Sequence, residues 1–174
     1  HGDSAPAGYA QTVEAENAAY RSSAVIALNT DRSGPQVSPS DPARLRVNTL
    51  GGSGWARCGQ YAVWRVTVPD SGYYRLSVRY RQNSARGRKT YRRLTVNGTV
   101  PFAEAEALPF SFSDAWQTAD LFAGDIYLTA GENELRLEAV LGSYAAVVRA
   151  ADETARRLGA LYREIMMITG SDPD

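Results

Sequence analysis

Tyr61-Ala-Val-Trp-Arg-Val-Thr-Val68, the turn Pro69-Asp-Ser-Gly72 and the run from Tyr73 to Arg81 decide the fold. In the first stretch Ala62, Trp64, Val66 and Val68 share one face, while Tyr61, Val63, Arg65 and Thr67 share the other. That is the period of two of a β-strand. Pro69 presets one turn dihedral, and Gly72 is expected to supply a positive one. Beyond it Tyr74, Leu76, Val78 and Tyr80 alternate with Arg75, Ser77, Arg79 and Arg81. Apolar residues point inward and polar ones outward, the mark of an antiparallel sheet with one wet face.

Working outward, Arg92 to Val96 runs into Asn97-Gly98, the favoured two-residue hairpin turn. Asp125 to Thr129 and Glu134 to Val140 read as a further pair joined by Gly131-Glu132-Asn133, with Leu135, Leu137 and Ala139 on one face. Strands at this spacing, with polar turns and no helix between them, predict an all-β fold, an antiparallel β-sandwich. Arg32 to Pro42 and Gly51-Gly-Ser-Gly54 read as surface loops. After Gly142 the period changes. Tyr144, Val148, Ala151, Ala155, Leu158, Tyr162 and Ile165 are spaced 4-3-4-3-4-3, the seam of an amphipathic helix, with Ser143 as N-cap and Gly170 as stop. The expected organisation is a sandwich over 1–142, a helix over 143–170 and a short tail over 171–174. The helix either packs back on the sandwich or leads into a further domain.

A chain of 174 residues with 44% hydrophobic and 22% charged residues has globular composition, which excludes disordered and collagen-like classes. No apolar run reaches the roughly 20 residues of a membrane helix, and none is shaped like a signal peptide. A sequence that opens on His1 and closes on Ser171-Asp-Pro-Asp174 reads as a segment of something longer. The single cysteine, Cys58, excludes a disulfide framework and Cys-rich zinc sites, and reads as a buried or incidental thiol. The single histidine, His1, excludes histidine-dependent triads and His-based metal sites elsewhere in the sequence. Glu104 and Glu106, two residues apart, cannot flank a glycosidic bond at the roughly 5–9.5 Å that hydrolysis requires. No catalysis is expected. Asn97-Gly-Thr99 matches a glycosylation sequon and is better explained as a turn.

The net charge of zero conceals an asymmetry. Arg44 to Arg93 holds eleven Arg and one Lys against Asp70, a balance of +11 (11 + 1 − 1), whereas Asn97 to Glu138 holds eight acids against Arg136, a balance of −7 (1 − 8). Such a basic block suggests a polyanion or nucleic-acid face. The competing reading, favoured by the absence of overall positive charge, is that the two blocks lie on neighbouring strands and neutralise each other.

An ordered set of six short pieces carries a resemblance: Val13-Glu-Ala-Glu-Asn17, Val68-Pro-Asp-Ser-Gly-Tyr-Tyr-Arg-Leu76, Arg79-Tyr80, Leu94-Thr-Val-Asn-Gly98, Trp116 and Leu128-Thr-Ala-Gly-Glu-Asn-Glu-Leu135. Together they resemble the carbohydrate-binding modules of families 6 and 35, which are galactose-binding-like jelly-roll sandwiches. Arg79 to Asn83, Pro101 to Glu106 and Ile165-Met-Met-Ile-Thr-Gly170 resemble, more narrowly, a module-like segment of extracellular solute-binding proteins of bacterial sugar ABC transporters. The resemblance implies a non-catalytic module of an extracellular or cell-surface bacterial protein. Its partners would be an oligo- or polysaccharide and the neighbouring domains of a longer chain. It implies neither membrane insertion nor nucleic-acid binding. The alternatives are a scaffold without its own ligand and a polyanion binder through the Arg44–Arg93 block.

Two sites follow from the resemblance. The Glu-x-Glu pair, Glu14 and Glu16, is implied as part of a structural calcium site if both lie along an extended strand; the alternative is that they pair with arginines. The family's closing Asp has no counterpart here, because the helix replaces its last strand. For the sugar, aromatics stack on the ring face while amides and guanidinium groups read the hydroxyl edge. The implied residues are Trp116 and Trp55 as platforms, with Asn48, Arg57, Arg81, Gln82 and Asn83 around them. Trp55, between Gly-Ser-Gly and Ala-Arg, is expected to have little local core to join, and Trp64 is expected in the core. The family's binding Asn in the last loop has no match at Gly142-Ser143-Tyr144.

Overall fold

The alternation of the deciding stretch is realised as a central strand. The structure is a computed structural model that describes residues 9–31, 47–120 and 124–169. The Arg32–Pro42 loop, the Gly170 stop and the 171–174 tail therefore lie outside the described residues. The strands are β1 (Tyr20–Arg21), β2 (Ala27–Asn29), β3 (Thr49–Gly51), β4 (Tyr61–Val68), β5 (Gly72–Tyr74), β6 (Ser77–Tyr80), β7 (Thr90–Val96), β8 (Leu108–Phe110), β9 (Gln117–Asp120), β10 (Ile126–Leu128) and β11 (Gly131–Val140). Helix α1 spans Ala145–Thr169.

An antiparallel sheet of order β1-β4-β11-β7-β8 forms one layer. Three two-stranded ribbons, β5–β10, β6–β9 and β2–β3, complete the strand pairing among the described residues. Val66, Val68, Leu94, Val96, Leu135 and Leu137 from the five-stranded sheet meet Tyr74, Ile126 and Leu128 from the β5–β10 ribbon in one core. Each buried side chain of this size contributes about 1.5–3 kcal/mol, so the shared core binds the two layers. Trp64 is half-buried against the core, and its indole N–H donates to the Ala15 carbonyl at 3.0 Å.

Several local readings are corrected. Gly72 is not among the residues of positive φ; it is the buried first residue of β5, and the preceding turn is held by the Tyr74 hydroxyl donating to the Asp70 carbonyl at 2.6 Å. The run from Tyr73 to Arg81 is divided into β5 and β6, which pair with β10 and β9 respectively. β10 and β11 do not pair with each other, because the chain crosses from one layer to the other between them. Asn133 shapes that corner. It is 1% exposed, its amide donates to the Thr129 and Gly131 carbonyls at 2.7 and 3.2 Å, and its Oδ1 accepts from Thr129 N–H and the Asn97 amide. Asn97 and Gly98 both have positive φ, 50° and 81°, as a tight hairpin turn requires. The Asn97 side chain is engaged, donating to Asn133 and accepting from Glu134 N–H at 2.8 Å, which agrees with its reading as a turn residue. Cys58 is exposed rather than buried.

The charge blocks meet across the sheets, as the neutralisation reading expects. Arg65 pairs with Glu132 at 3.7 Å, Arg75 with Asp125 at 3.3 Å and Arg93 with Glu106 at 2.6 Å. Arg65 also lies opposite Glu134, and Arg93 opposite Glu138. Arg44 and Arg46 fall outside the described residues.

The chain divides into two compact units, 1–142 and 143–174. In the second, Ser143 sits within a 3-10 turn, Gly142–Tyr144, and α1 starts only at Ala145, so Ser143 is not its N-cap. The helix carries Asp152–Arg156 and Glu153–Arg157 pairs at 2.5 Å, with the acid one turn ahead of the base, the favourable order. Among the described residues no helix is long and apolar enough to cross a membrane.

Candidate functional site

The β6–β9 ribbon sets two of the expected site residues side by side. Tyr80 lies opposite Gln117, so Arg81 leaves the ribbon where Trp116 enters it. The Arg81 guanidinium lies 5.1 Å from the centroid of the half-buried Trp116 ring. Both converge on one carboxylate. The Trp116 indole N–H donates to Asp31 Oδ2 at 2.9 Å, and Arg81 Nη2 reaches the same oxygen at 2.8 Å. The Asp31 side chain is 11% exposed and that of Arg81 28%, so the pair is shielded from water, where a charged hydrogen bond gains strength.

Asp31 is held in turn by Asn48. Asn48 Oδ1 accepts from the Asp31 N–H at 2.8 Å, and its amide donates to the Asp31 carbonyl at 2.9 Å. Asn48, Arg81 and Trp116 are thus brought together around a residue that the sequence reading missed. Asp31 gave no periodic or motif signal, because its partners are 17, 50 and 85 positions away. Gln82 adjoins this cluster but works on its own loop: its amide donates to the Arg88 carbonyl and accepts from Ser84 and Ala85 N–H. Its carbonyl accepts from Ser113 N–H at 2.9 Å, tying that loop to the one carrying Trp116. Asn83 is exposed beside it.

Trp55 belongs to a second group, and the expectation that it lacks a local core is corrected. It packs partly buried against the core, 6.4 Å from the Trp64 ring, with the Arg92 guanidinium 4.9 Å from its centroid. Its indole N–H donates to the Gln60 carbonyl at 3.1 Å, and Arg92 Nη2 donates to the Trp55 carbonyl at 2.9 Å. Gln60 also accepts from Ala56 and Arg57 N–H, closing the loop, with the Arg57 side chain exposed. Burial lowers the Arg92 pKa to about 10, with the nearby Cys58 acting against that shift. Gly51 is required beneath the indole: at φ 113° a Cβ there would lie 3.2 Å from the Trp55 ring. Asn48 precedes β3 and Gly51 ends it, so the two groups are separated by about 10 Å of strand.

Glu14 and Glu16 lie in a 3-10 turn, Ala15–Asn17 with Glu14 as its N-cap, rather than along an extended strand. Compaction of the backbone nonetheless leaves the two carboxylates interacting. The Glu16 carboxyl is pushed above its ordinary range mainly by burial, with Glu14's charge adding and its own backbone N–H opposing. Glu16 Oε2 is buried and has no hydrogen-bond partner. A buried, unpartnered carboxylate oxygen beside a second carboxylate fits a hard divalent cation. Among the described residues no group of three acids, histidines or cysteines forms, so any further ligands drawn from these residues would be neutral oxygens. Two shallow grooves, of about 340 and 330 Å³, are lined by none of these residues.

Three comparisons bear on this arrangement. The chain matches no family model, and the search of curated proteins gave no significant match. Among solved structures it is similar to a Paenibacillus sp. cycloisomaltooligosaccharide glucanotransferase complexed with cycloisomaltoheptaose, at 27% identity and TM-score 0.53, covering 72% of this chain and 15% of that one. It is also similar to a Podospora anserina GH26-CBM35 β-(1,4)-mannanase, at 19% identity and TM-score 0.52, covering 75% and 24%. The fold is that of the family 35 carbohydrate-binding modules. A family 35 module from Clostridium thermocellum matches at 23% identity and TM-score 0.48, covering 65% and 76%. The chain spans only 15% and 24% of the lengths of the two larger enzymes.

Proposed function

We propose that this module binds an oligo- or polysaccharide, without catalysis, at the Trp116–Arg81–Asp31–Asn48 cluster. The observation that carries the reading is the fixed indole of Trp116, locked through its N–H to Asp31 and flanked by a guanidinium. A sugar ring presents C–H groups to an aromatic face and hydroxyls to charged groups at its edge; Trp116 and Arg81 are of those kinds, while the buried Asn48 amide is taken up by the Asp31 backbone and holds the site in place. The module would serve as an ancillary part of an extracellular or cell-surface bacterial protein. That protein is either a glycan-active enzyme or a solute-binding protein of a sugar transporter. The likeness to parts of two larger glycan-active enzymes supports the first; the narrower sequence resemblance supports the second.

A calcium ion at Glu14 and Glu16 completes the proposal. Its role would be structural: it would neutralise the buried Glu16 oxygen and tie down the N-terminal turn on which Trp64 also closes.

Affinity electrophoresis in gels containing dextran or β-mannan tests the reading, followed by calorimetry on oligosaccharides of whichever polymer retards the protein. Retardation that Trp116→Ala removes, with the melting temperature held, supports it. No retardation by either polymer, or retardation indifferent to Trp116, overturns it.

A further inference from the structure

The groove of about 330 Å³ lies at the opposite end of the sandwich from Trp116. Arg81 follows β6, whereas Tyr73 sits in β5, eight residues earlier on a nearly continuous extended course, so the two regions are separated by up to about 26 Å. Tyr73 and Tyr127 are direct cross-strand partners on the outer face of the β5–β10 ribbon. Their rings stand 5.3 Å apart at 70°, and they remain 42% and 48% exposed. No hydrogen bond of either phenol occurs among the described residues. Two large aromatic side chains on a sheet face thus leave nearly half of their surface open, and a stacking ligand would cover part of it.

The surroundings match a sugar rather than a protein helix or a lipid. Thr99, Thr129 and Asp125 line the groove together with Pro101 and Phe102; the Thr129 hydroxyl already donates to Asn133 Oδ1 at 3.1 Å and can offer a ligand only its lone pairs. Asp125 is already paired with Arg75 at 3.3 Å, so the rim carries no uncompensated charge to attract a uronate or a phosphate. The wall is rigid, because Thr129 and Asn97 are both anchored on the buried Asn133. A groove of this size is at the lower bound for a small-ligand site and suits a single ring.

We propose that the Tyr73–Tyr127 groove is a second carbohydrate contact, taking one neutral pyranose of a glycan chain. One tyrosine offers its face to the ring while the other, set nearly perpendicular, offers its edge and hydroxyl beside Thr99 and Thr129. With two contacts at opposite ends, the module engages a polymer more tightly than it does a short oligosaccharide, through effective concentration rather than any new contact.

Nitrogen-15 NMR titration of the whole chain with isomaltotriose and with mannotriose tests this independently of the Trp116 site. The expected result is perturbation of Tyr73, Tyr127 and Thr99 by one of the two sugars. It should persist in Trp116→Ala and vanish in Tyr73→Ala/Tyr127→Ala. Perturbation at Trp116 with none in the groove overturns this inference and leaves the main reading standing. Perturbation in the groove with none at Trp116 does the reverse. Groove perturbation that survives loss of both tyrosines, or none with either sugar, also overturns it. Mapping on the unmodified protein decides the matter even if the double variant folds poorly.

Discussion

The Trp116 indole N–H and the Asp31 carboxylate meet at 2.9 Å across 85 residues of sequence, and Arg81 shares the same oxygen. One nearly buried acid therefore sets the orientation of an aromatic ring and the position of a cation beside it. Removing that acid should misplace both. Asp31→Ala is expected to cost about 2–3 kcal/mol of stability, the range for losing charged hydrogen bonds in a shielded site, and to abolish glycan retention. Asp31→Asn keeps the shape and one acceptor, so it should fall between. Denaturant unfolding and affinity electrophoresis on the two variants check this; full retention by Asp31→Ala would show that Trp116 is positioned by other contacts.

Trp55 and Trp116 should behave oppositely. Trp55 packs on Trp64, carries Arg92 against its face and closes its loop through Gln60, so Trp55→Ala should lower stability by about 2–3 kcal/mol. Trp116 has a half-exposed ring in the candidate site, so Trp116→Ala should lose ligand with a much smaller change in melting. Thermal unfolding of both variants, read alongside their retardation by glycan, distinguishes the two roles. Equal melting losses would contradict it.

The strands were legible because alternation is a local property: β4, the inward residues of β5 and β6, and the Asn97-Gly98 turn follow from neighbours in sequence. What was illegible depended on distant partners. The break between β5 and β6 reflects two different pairing strands, and the crossing from β10 to β11 depends on a buried amide reaching Thr129 and Asn97. Trp55 looked like a loop tip because its cover, Arg92, comes 37 positions later. Asn48, Arg81 and Trp116 were identifiable as polar and aromatic loop residues, but Asp31, the group that joins them, had no neighbour to mark it.

Asn133 gives a third expectation. Its amide satisfies two carbonyls and its oxygen takes donors from Thr129 and Asn97, and the Asn133 residue itself is 1% exposed. Asn133→Ala removes all of those hydrogen bonds at once and leaves a void where the buried amide stood, and each lost hydrogen bond contributes about 0.5–1.5 kcal/mol. A loss of about 3 kcal/mol or more is expected, with the melting transition checked by circular dichroism. Asn133→Asp should be only partly tolerated, since it keeps the acceptor and loses both donors. A variant that melts like the parent would mean that water replaces the amide.

The last expectation concerns pH at Glu16, whose carboxyl has a raised pKa in the folded state relative to its ordinary value of 4.5. Between those two values the folded protein binds more protons than the unfolded chain, so stability falls as pH rises through that window. Below 4.5 both states are protonated and the penalty is absent; above the folded value it is present in full. In a chelator, the parent should therefore lose stability from acid toward neutral pH, and Glu16→Gln should remove that part of the profile. Calcium reverses the sign, since it binds only the ionised carboxylates. Its stabilisation should be largest at neutral pH, about 2.7 kcal/mol at a hundredfold excess over the dissociation constant, and should fade as Glu16 protonates. Melting curves with calcium and with chelator at both pH extremes check this. A calcium effect that is the same in Glu16→Gln would place the ion elsewhere, and no calcium effect at any pH would leave Glu16 simply a buried acid.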